Sequence, residues 1–259
     1  MSPAHLLARA ALENARWCDL VCRAHGVPGE LHEAYWIDRN PVPPYYPRLV
    51  TLGGPERAAE HVGAVRELLA PSSGRAFAIK DSFRALDLVP LGFRLLLEAE
   101  WFLWPAERAA PDTAAVTWTV VDGEERLAAW EAAWRGPTPA APGDERMFPA
   151  DLLRVPDLVF FACERATGIV ATGVLHRSDD VVGLSNVTGD AAAALRVGVS
   201  AARQRFPGSP VVGYERGPEL DAAVDAGFAR LGPLAVWESP EPVRGATASS
   251  VPPRAAPRR

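Results

Sequence analysis

AFAIKDSFRALDLVPLGFRLLLEAEWFLW (Ala76–Trp104) and VVGYERGPELDAAVDAGFARLGPLAVW (Val211–Trp237) read as one unit written twice. Each has a short apolar strand, a short helix stopped at Gly-Phe (Gly92-Phe93 and Gly227-Phe228), and a second strand ending on tryptophan. The two glycines stand 135 positions apart, and an alanine-rich amphipathic helix precedes each unit. Repeated supersecondary units imply repeated folds. The chain is therefore read as residues 1–110, residues 111–238 and a tail over 239–259, with the boundary in the Ala-, Pro- and charge-rich stretch Pro105 to Thr113.

Working outward, His5 to Gly26 repeats apolar residues every three and four positions and reads as a helix. Leu31 to Asp38 and Leu49 to Leu52 read as strands around the proline-rich stretch Pro41 to Pro47, and Glu56 to Leu69 as the next helix. Within the first unit, Ala85 to Leu91 reads as a weak helix interrupted by Pro90. The second half opens with strand Val116 to Val121 and helix Glu124 to Trp134, and Gly136 to Arg146 reads as a loop. Leu158 to Cys163, Ile169 to Leu175 and Val181 to Val187 read as an antiparallel meander. Helix Ala191 to Phe206 then leads into the second unit. The class implied is α/β, with a central mixed β-sheet flanked by helices in each half.

At 259 residues and 48% hydrophobic content the chain can bury a substantial core. No apolar run approaches the roughly 20 residues needed to span a bilayer. Met1 to Ala15 contains Glu13 and Asn14 and lacks a basic segment followed by an apolar one, so a cytoplasmic protein without membrane association is expected. The net charge is -5, while Ser239 to Arg259 carries four arginines against one glutamate, which leaves the folded part at -8. An acidic body is a poor partner for nucleic acid, whose binding depends on phosphate neutralisation. Cys18, Cys22 and Cys163 fit no disulfide framework or metal spacing, and no metal is expected, although Cys18, Cys22 and His25 share a helical face. The single lysine, Lys80, reads as coding bias and is given no role.

The order of meander, helix, strand, helix, Gly-Phe and strand, preceded by a strand and a helix, resembles the GNAT family (Gcn5-related N-acetyltransferases). The resemblance covers Val116 to Trp237 and, more faintly, Leu6 to Trp104, so the chain looks like a tandem GNAT-like protein with a degenerate first copy. It implies that the strands Val181 to Val187 and Val211 to Tyr214 splay apart, and that the thioester of acetyl-CoA or another acyl-CoA lies in the gap. Free N–H groups and the helix dipole make the following helix start an anion site. The family pattern R/Q-x-x-G-x-G/A falls on Asn186-Val187-Thr188-Gly189-Asp190-Ala191. Gly189 and Ala191 fit, Asn186 replaces arginine or glutamine, and Asp190 puts a negative charge beside the pyrophosphate. Asn186, Val187, Gly189, Asp190, Ala191 and Ala192 are thus the implied donor-binding residues.

The family's frequent acid, a tyrosine four residues before the glycine of Gly-Phe, is Ala223 here and Leu88 in the first copy. The candidates for catalysis are then Glu215 and Tyr214 at the end of their strand, and His176 at the end of its own, beside the turn Asp179-Asp180. Each also has a plain structural reading, as a core, paired or turn residue. Trp17, Tyr35, Trp36, Tyr45 and Tyr46 either line an acceptor pocket between the halves or seal a short domain. The function implied is acyl transfer from a CoA thioester to a small-molecule amine. The alternatives are a noncatalytic ligand- or partner-binding protein, and a transferase taking its acyl group from aminoacyl-tRNA, against which the acidic body argues.

Overall fold

The computed structural model describes residues 2–69, 76–114, 116–137 and 146–240. The helices are α1 (Pro3–Ala24), α2 (Ala58–Leu69), α3 (Glu124–Arg135), α4 (Ala191–Arg205) and α5 (Gly217–Ala226). The strands are β1 (Glu30–Leu31), β2 (Tyr35–Ile37), β3 (Pro47–Thr51), β4 (Ala78–Asp81), β5 (Arg94–Trp104), β6 (Thr117–Val120), β7 (Leu158–Arg165), β8 (Gly168–Ser178), β9 (Val181–Gly189), β10 (Val211–Glu215) and β11 (Ala229–Glu238). Among the described residues no helix is long and apolar enough to cross a membrane.

The duplication is visible at the level of single hydrogen bonds. In the second unit Phe228 N–H donates to the Ala223 carbonyl and Gly227 N–H to that of Val224; in the first, Phe93 donates to Leu88 and Gly92 to Val89. Both glycines are left-handed, at φ 82° and 109°. This is the paired capping pattern that ends a helix on glycine and frees the chain to turn into a strand. The first copy keeps the cap and loses most of the helix: only Val89–Leu91 is helical, as a single 3₁₀ turn. Two causes act against the helix expected from Ala85. Pro90 has no N–H to give, and the Asp81 carboxylate accepts from the N–H groups of Leu86 at 2.8 Å and Phe83 at 3.4 Å.

The sheet is mixed and flanked by helices, but it is one sheet and not one per half. Its order is β1-β2-β3-β4-β11-β5-β10-β9-β8-β7-β6. The last strand of each half is exchanged: β11 runs antiparallel to β4, β5 antiparallel to β10, and β5 and β11 pair with each other at the middle. A strand's pattern records which faces it buries and not which neighbour it takes, so the exchange could not be read from periodicity.

Helices α4 and α5 cover one face of the second half, on Phe102, Phe161, Leu195 and Phe228. Helices α1 and α3 cover the other, where Trp17, Trp130, Phe148 and Phe160 are buried together. Helix α2 packs on Ile37, Leu49, Ile79 and Trp237 in the first half. Ser239, placed in the tail by composition, is buried: its N–H donates to the Phe77 carbonyl and its hydroxyl accepts from Phe77 N–H at 2.9 Å. Residues 241–259, the rest of that tail, and residues 138–145 of the expected loop lie outside the described residues.

Candidate functional site

Strands β9 and β10 run parallel and pair only at Val211 with Val182 and Val212 with Gly183. Beyond that point they part, so backbone groups that a parallel neighbour would satisfy face an opening. Leu184, Ser185, Asn186 and Val187 on one side and Tyr214 and Glu215 on the other border a cavity of about 260 Å³. The first half closes it: Asn14, Trp17 and Cys18 from α1, Tyr45, Tyr46 and Pro47 from the proline-rich loop, and Lys80 from β4.

Helix α1 reaches the sheet because Gly183 has no side chain; a Cβ there would fall 2.0 Å from the Glu13 carboxylate. Glu13 and Asn14 are both buried, at 2% and 3% exposure, which only partners can support. Glu13 takes the His176 ring nitrogen at 2.9 Å. Asn14 accepts from the Lys80 ammonium at 2.7 Å, and the same ammonium donates to the Tyr214 hydroxyl at 2.9 Å and lies 4.3 Å from the Tyr214 ring centroid. Burial opposes the lysine's charge, but Tyr214, Cys18 and Glu13 outweigh it and hold its proton above the ordinary lysine range.

Side chains alternate along β10. Tyr214 joins the α1 face, with Trp101 edge-on at 5.2 Å, and Glu215 takes the opposite side, toward α5. Burial, with Glu219 nearby and only Arg216 opposing, pushes the Glu215 carboxyl up to about 7. Such a group exchanges a proton near neutrality. The Cys18 thiol, pushed up to about 11 by burial, is a neutral wall of the cavity and not a nucleophile.

Of the sequence candidates, Glu215, Tyr214, Asn186 and Val187 meet at this opening. His176 does not line it; the ring is committed to Glu13 and sits 6.1 Å from Trp17. Asp179 and Asp180 pair with Arg9, and Asp179 also with Arg16 at 2.8 Å, which holds its carboxyl below the usual range. Of the aromatic group, Trp17, Tyr45 and Tyr46 line the cavity, Trp36 is buried in the core and Tyr35 lies against His32 with its ring tilted by 37°. Asn186 is left-handed, at φ 56°, a conformation asparagine tolerates far better than arginine or glutamine does.

Gly189, Asp190, Ala191 and Ala192 lie at the start of α4, outside this cavity, and that start is already capped. The Asp190 carboxylate accepts from Ala193 N–H at 3.1 Å and pairs with Arg165 at 2.8 Å. Gly189 sits against β8, where a Cβ would lie 2.2 Å from the Val170 carbonyl oxygen. A pyrophosphate at this helix terminus would therefore meet a carboxylate that already takes one N–H group and brings a like charge. The opening between β9 and β10 is unobstructed in that sense.

Sequence reasoning missed Lys80 and Asn14. One signal for Lys80 lies in the repeat: Lys80 pairs with Val236 and Tyr214 with Trp101, and those two partners stand 135 positions apart as the capping glycines do, so Lys80 holds in the first copy the place Tyr214 holds in the second. The two repeated positions thus meet, ammonium to hydroxyl, and both line the same cavity.

The parted parallel strands, with a meander before them and a helix from each parted strand, decide the architecture. The chain has the GNAT fold. A GCN5-related N-acetyltransferase from Kribbella flavida superposes at TM-score 0.54 with 14% identity, over 90% of this chain and 96% of that one. A GNAT-family protein from Novosphingobium aromaticivorans gives 0.53 and 14%, over 88% and 97%. A GCN5-related N-acetyltransferase from Sphaerobacter thermophilus gives 0.51 and 12%, over 92% and 93%. These GNAT structures span both halves. No protein-family model matches the sequence, and no curated protein matches it.

Proposed function

We propose that this GNAT-fold chain transfers an acyl group from a thioester, of the CoA class, to the amine of a small molecule. The observation that carries the reading is the opening where β9 and β10 part, with Glu215 on its wall and a cavity closed by the first half behind it. The thioester supplies an activated carbonyl whose sulfur leaves without a strong acid, because thiols are acidic enough to depart as thiolates. Glu215 takes the proton that the amine nitrogen loses as it forms the new C–N bond and the C–S bond breaks. A carboxyl that titrates near 7 suits that task. On the other face of β10 the Tyr214 oxygen is oriented by the Lys80 ammonium, which leaves its own O–H free to donate within the cavity.

The capped α4 terminus favours a second reading, a binding protein that has kept the fold and lost its hold on the donor. One experiment separates the two. Release of free thiol from acetyl-CoA is followed against a panel of small amines, with hydrolysis in the absence of amine as the baseline. Amine-dependent release supports transfer; release indistinguishable from baseline with every amine supports the binding reading.

A further inference from the structure

Lys80 is the least expected group in the molecule. It is 5% exposed on β4, the fourth of the eleven strands, and among the described residues no carboxylate lies within ion-pair distance of its ammonium. Its two hydrogen bonds go to neutral partners, Asn14 and Tyr214. A buried charge without an ion-pair partner is costly, and it usually loses its proton; Lys80 keeps its own with Glu13 acting on it only from beyond ion-pair distance, so an anion brought into contact would be stabilised there.

A second, independent group faces the same space. The Tyr46 hydroxyl, on a residue 8% exposed, lines the cavity beside the Asn186 amide and has no hydrogen bond of normal geometry; neither has Asn186 Oδ1. Burial drives the Tyr46 proton on more tightly, so the hydroxyl remains a donor. The cavity wall thus carries a cation and Tyr46 from the first half and Asn186 from the strand that borders the opening, with the Tyr46 hydroxyl and Asn186 Oδ1 side by side just beneath the surface. The cavity of about 260 Å³ has room for a molecule the size of an amino acid, and shares Tyr45, Tyr46, Pro47, Lys80 and Tyr214 with an adjoining space of about 490 Å³.

We propose that this cavity recognises an amine that also carries a carboxylate, with the carboxylate seated on Lys80 and Tyr46 and the amine turned toward Asn186 and the β9–β10 opening. This names the acceptor class for the acyl transfer proposed above and rests on that reading only for the role of the bound molecule, not for its binding. The first half is then the specificity element: Lys80 and Tyr46 select the anion while β10 faces the chemistry.

The test is calorimetric titration of the full chain, without donor, using glycine, β-alanine, 4-aminobutyrate and the standard amino acids, each paired with its neutral carboxamide. At least one acid should bind, and its amide should bind roughly 10- to 100-fold more weakly, the span of a hydrogen bond to a charged group. Lys80→Met, which replaces the ammonium by an apolar chain of similar length, should remove that preference. Tyr46→Phe should weaken the acid by roughly 10-fold and leave the amide unchanged. The proposal is overturned if no acid binds, if acids and amides bind equally, or if Lys80→Met melts higher while acid binding is unchanged, which would make Lys80 a purely structural group. Selective binding without thioester turnover would leave it standing and dismiss the acyl-transfer reading; turnover with amides as good as acids would do the reverse.

Discussion

Asp190→Gly should convert the start of α4 into a seat for phosphate. The carboxylate now bonds Ala193 N–H at 3.1 Å and Arg165 at 2.8 Å. Glycine is nearly as good as aspartate at a helix N-cap, within a few tenths of a kcal/mol. The lost pair is an exposed one, with side chains 60% and 34% exposed, so it is worth about 0–1 kcal/mol. The fold should survive. For a pyrophosphate about 5 Å away, one carboxylate charge costs roughly 0.8 kcal/mol per phosphate charge in water, so its removal gains roughly 2 kcal/mol over two charges. The released Arg165 adds about 0–1 kcal/mol, for an overall tightening of roughly 30- to 100-fold at low salt. Calorimetry with acetyl-CoA and with S-acetylpantetheine, which lacks the pyrophosphate, isolates the effect. The wild type should bind the two alike, and the variant should prefer acetyl-CoA. Asp190→Asn, which keeps the Ala193 bond but not the charge, should fall between. Equal preference in a folded Asp190→Gly protein, or a wild type that already favours acetyl-CoA strongly, would refute the occupied-seat argument.

Glu215→Gln should lower amine-dependent turnover by about 100-fold, the usual size of a general-base contribution, and abolish the rise in rate through pH 7; undiminished turnover dismisses Glu215 as the base. The same carboxyl carries a stability signature. Its folded value lies above its ordinary 4.5, so stability is greatest at acid pH and falls as pH rises from there through about 7. Glutamine should recover at most about 3 kcal/mol at pH 8, read by urea denaturation at pH 4 and pH 8. His176→Ala should leave the buried Glu13 carboxylate without its hydrogen-bond partner and destabilise the fold by about 1–3 kcal/mol; a drop in turnover without loss of stability would restore His176 as a catalytic candidate. Ser239→Ala leaves the buried Phe77 N–H without an acceptor and should cost about 1–3 kcal/mol, and an unchanged melting midpoint would put the fold's edge before Ser239.

Much of the fold was legible because the elements carry local signals. The meander β7 to β9 announced itself by apolar strands between Gly168 and the Asp179-Asp180 turn, and α4 by its Asp190 cap and its stop at Pro207-Gly208. What was illegible was non-local. Nothing in Arg94–Trp104 states that its neighbours are β10 and β11, because exchange conserves every buried face. The site divided along the same line. Tyr214 and Glu215 were found from their place at the end of a strand, and Asn186 from the family pattern. Lys80 was lost because a lysine in an apolar strand means little until Asn14, 66 residues earlier, and Tyr214, 134 residues later, are seen beside it.

The exchange also explains why a first copy without its α5 counterpart is still indispensable to the second. β10, the strand that carries Tyr214 and Glu215, is paired along its whole length by β5, from Val211 with Trp104 to Glu215 with Glu100. Since β9 leaves β10 after two residue pairs, β5 is what keeps the strand extended beside the opening. Without it, β10 would be an edge strand free on both sides beyond Val212, with no ladder to fix where its last two side chains point. The first half therefore does two separate things for the same site: β5 holds β10 apart from β9, and α1, the proline-rich loop and β4 close the space that the parting creates. A copy with those duties can shrink its capped helix to one turn and its meander to the short strands β1, β2 and β3, of which the β2–β3 loop still lines the cavity. Lys80 and Glu215 fall on either side of the same division: in the proposed transfer the first half supplies a fixed cation and the second a carboxyl that titrates near 7.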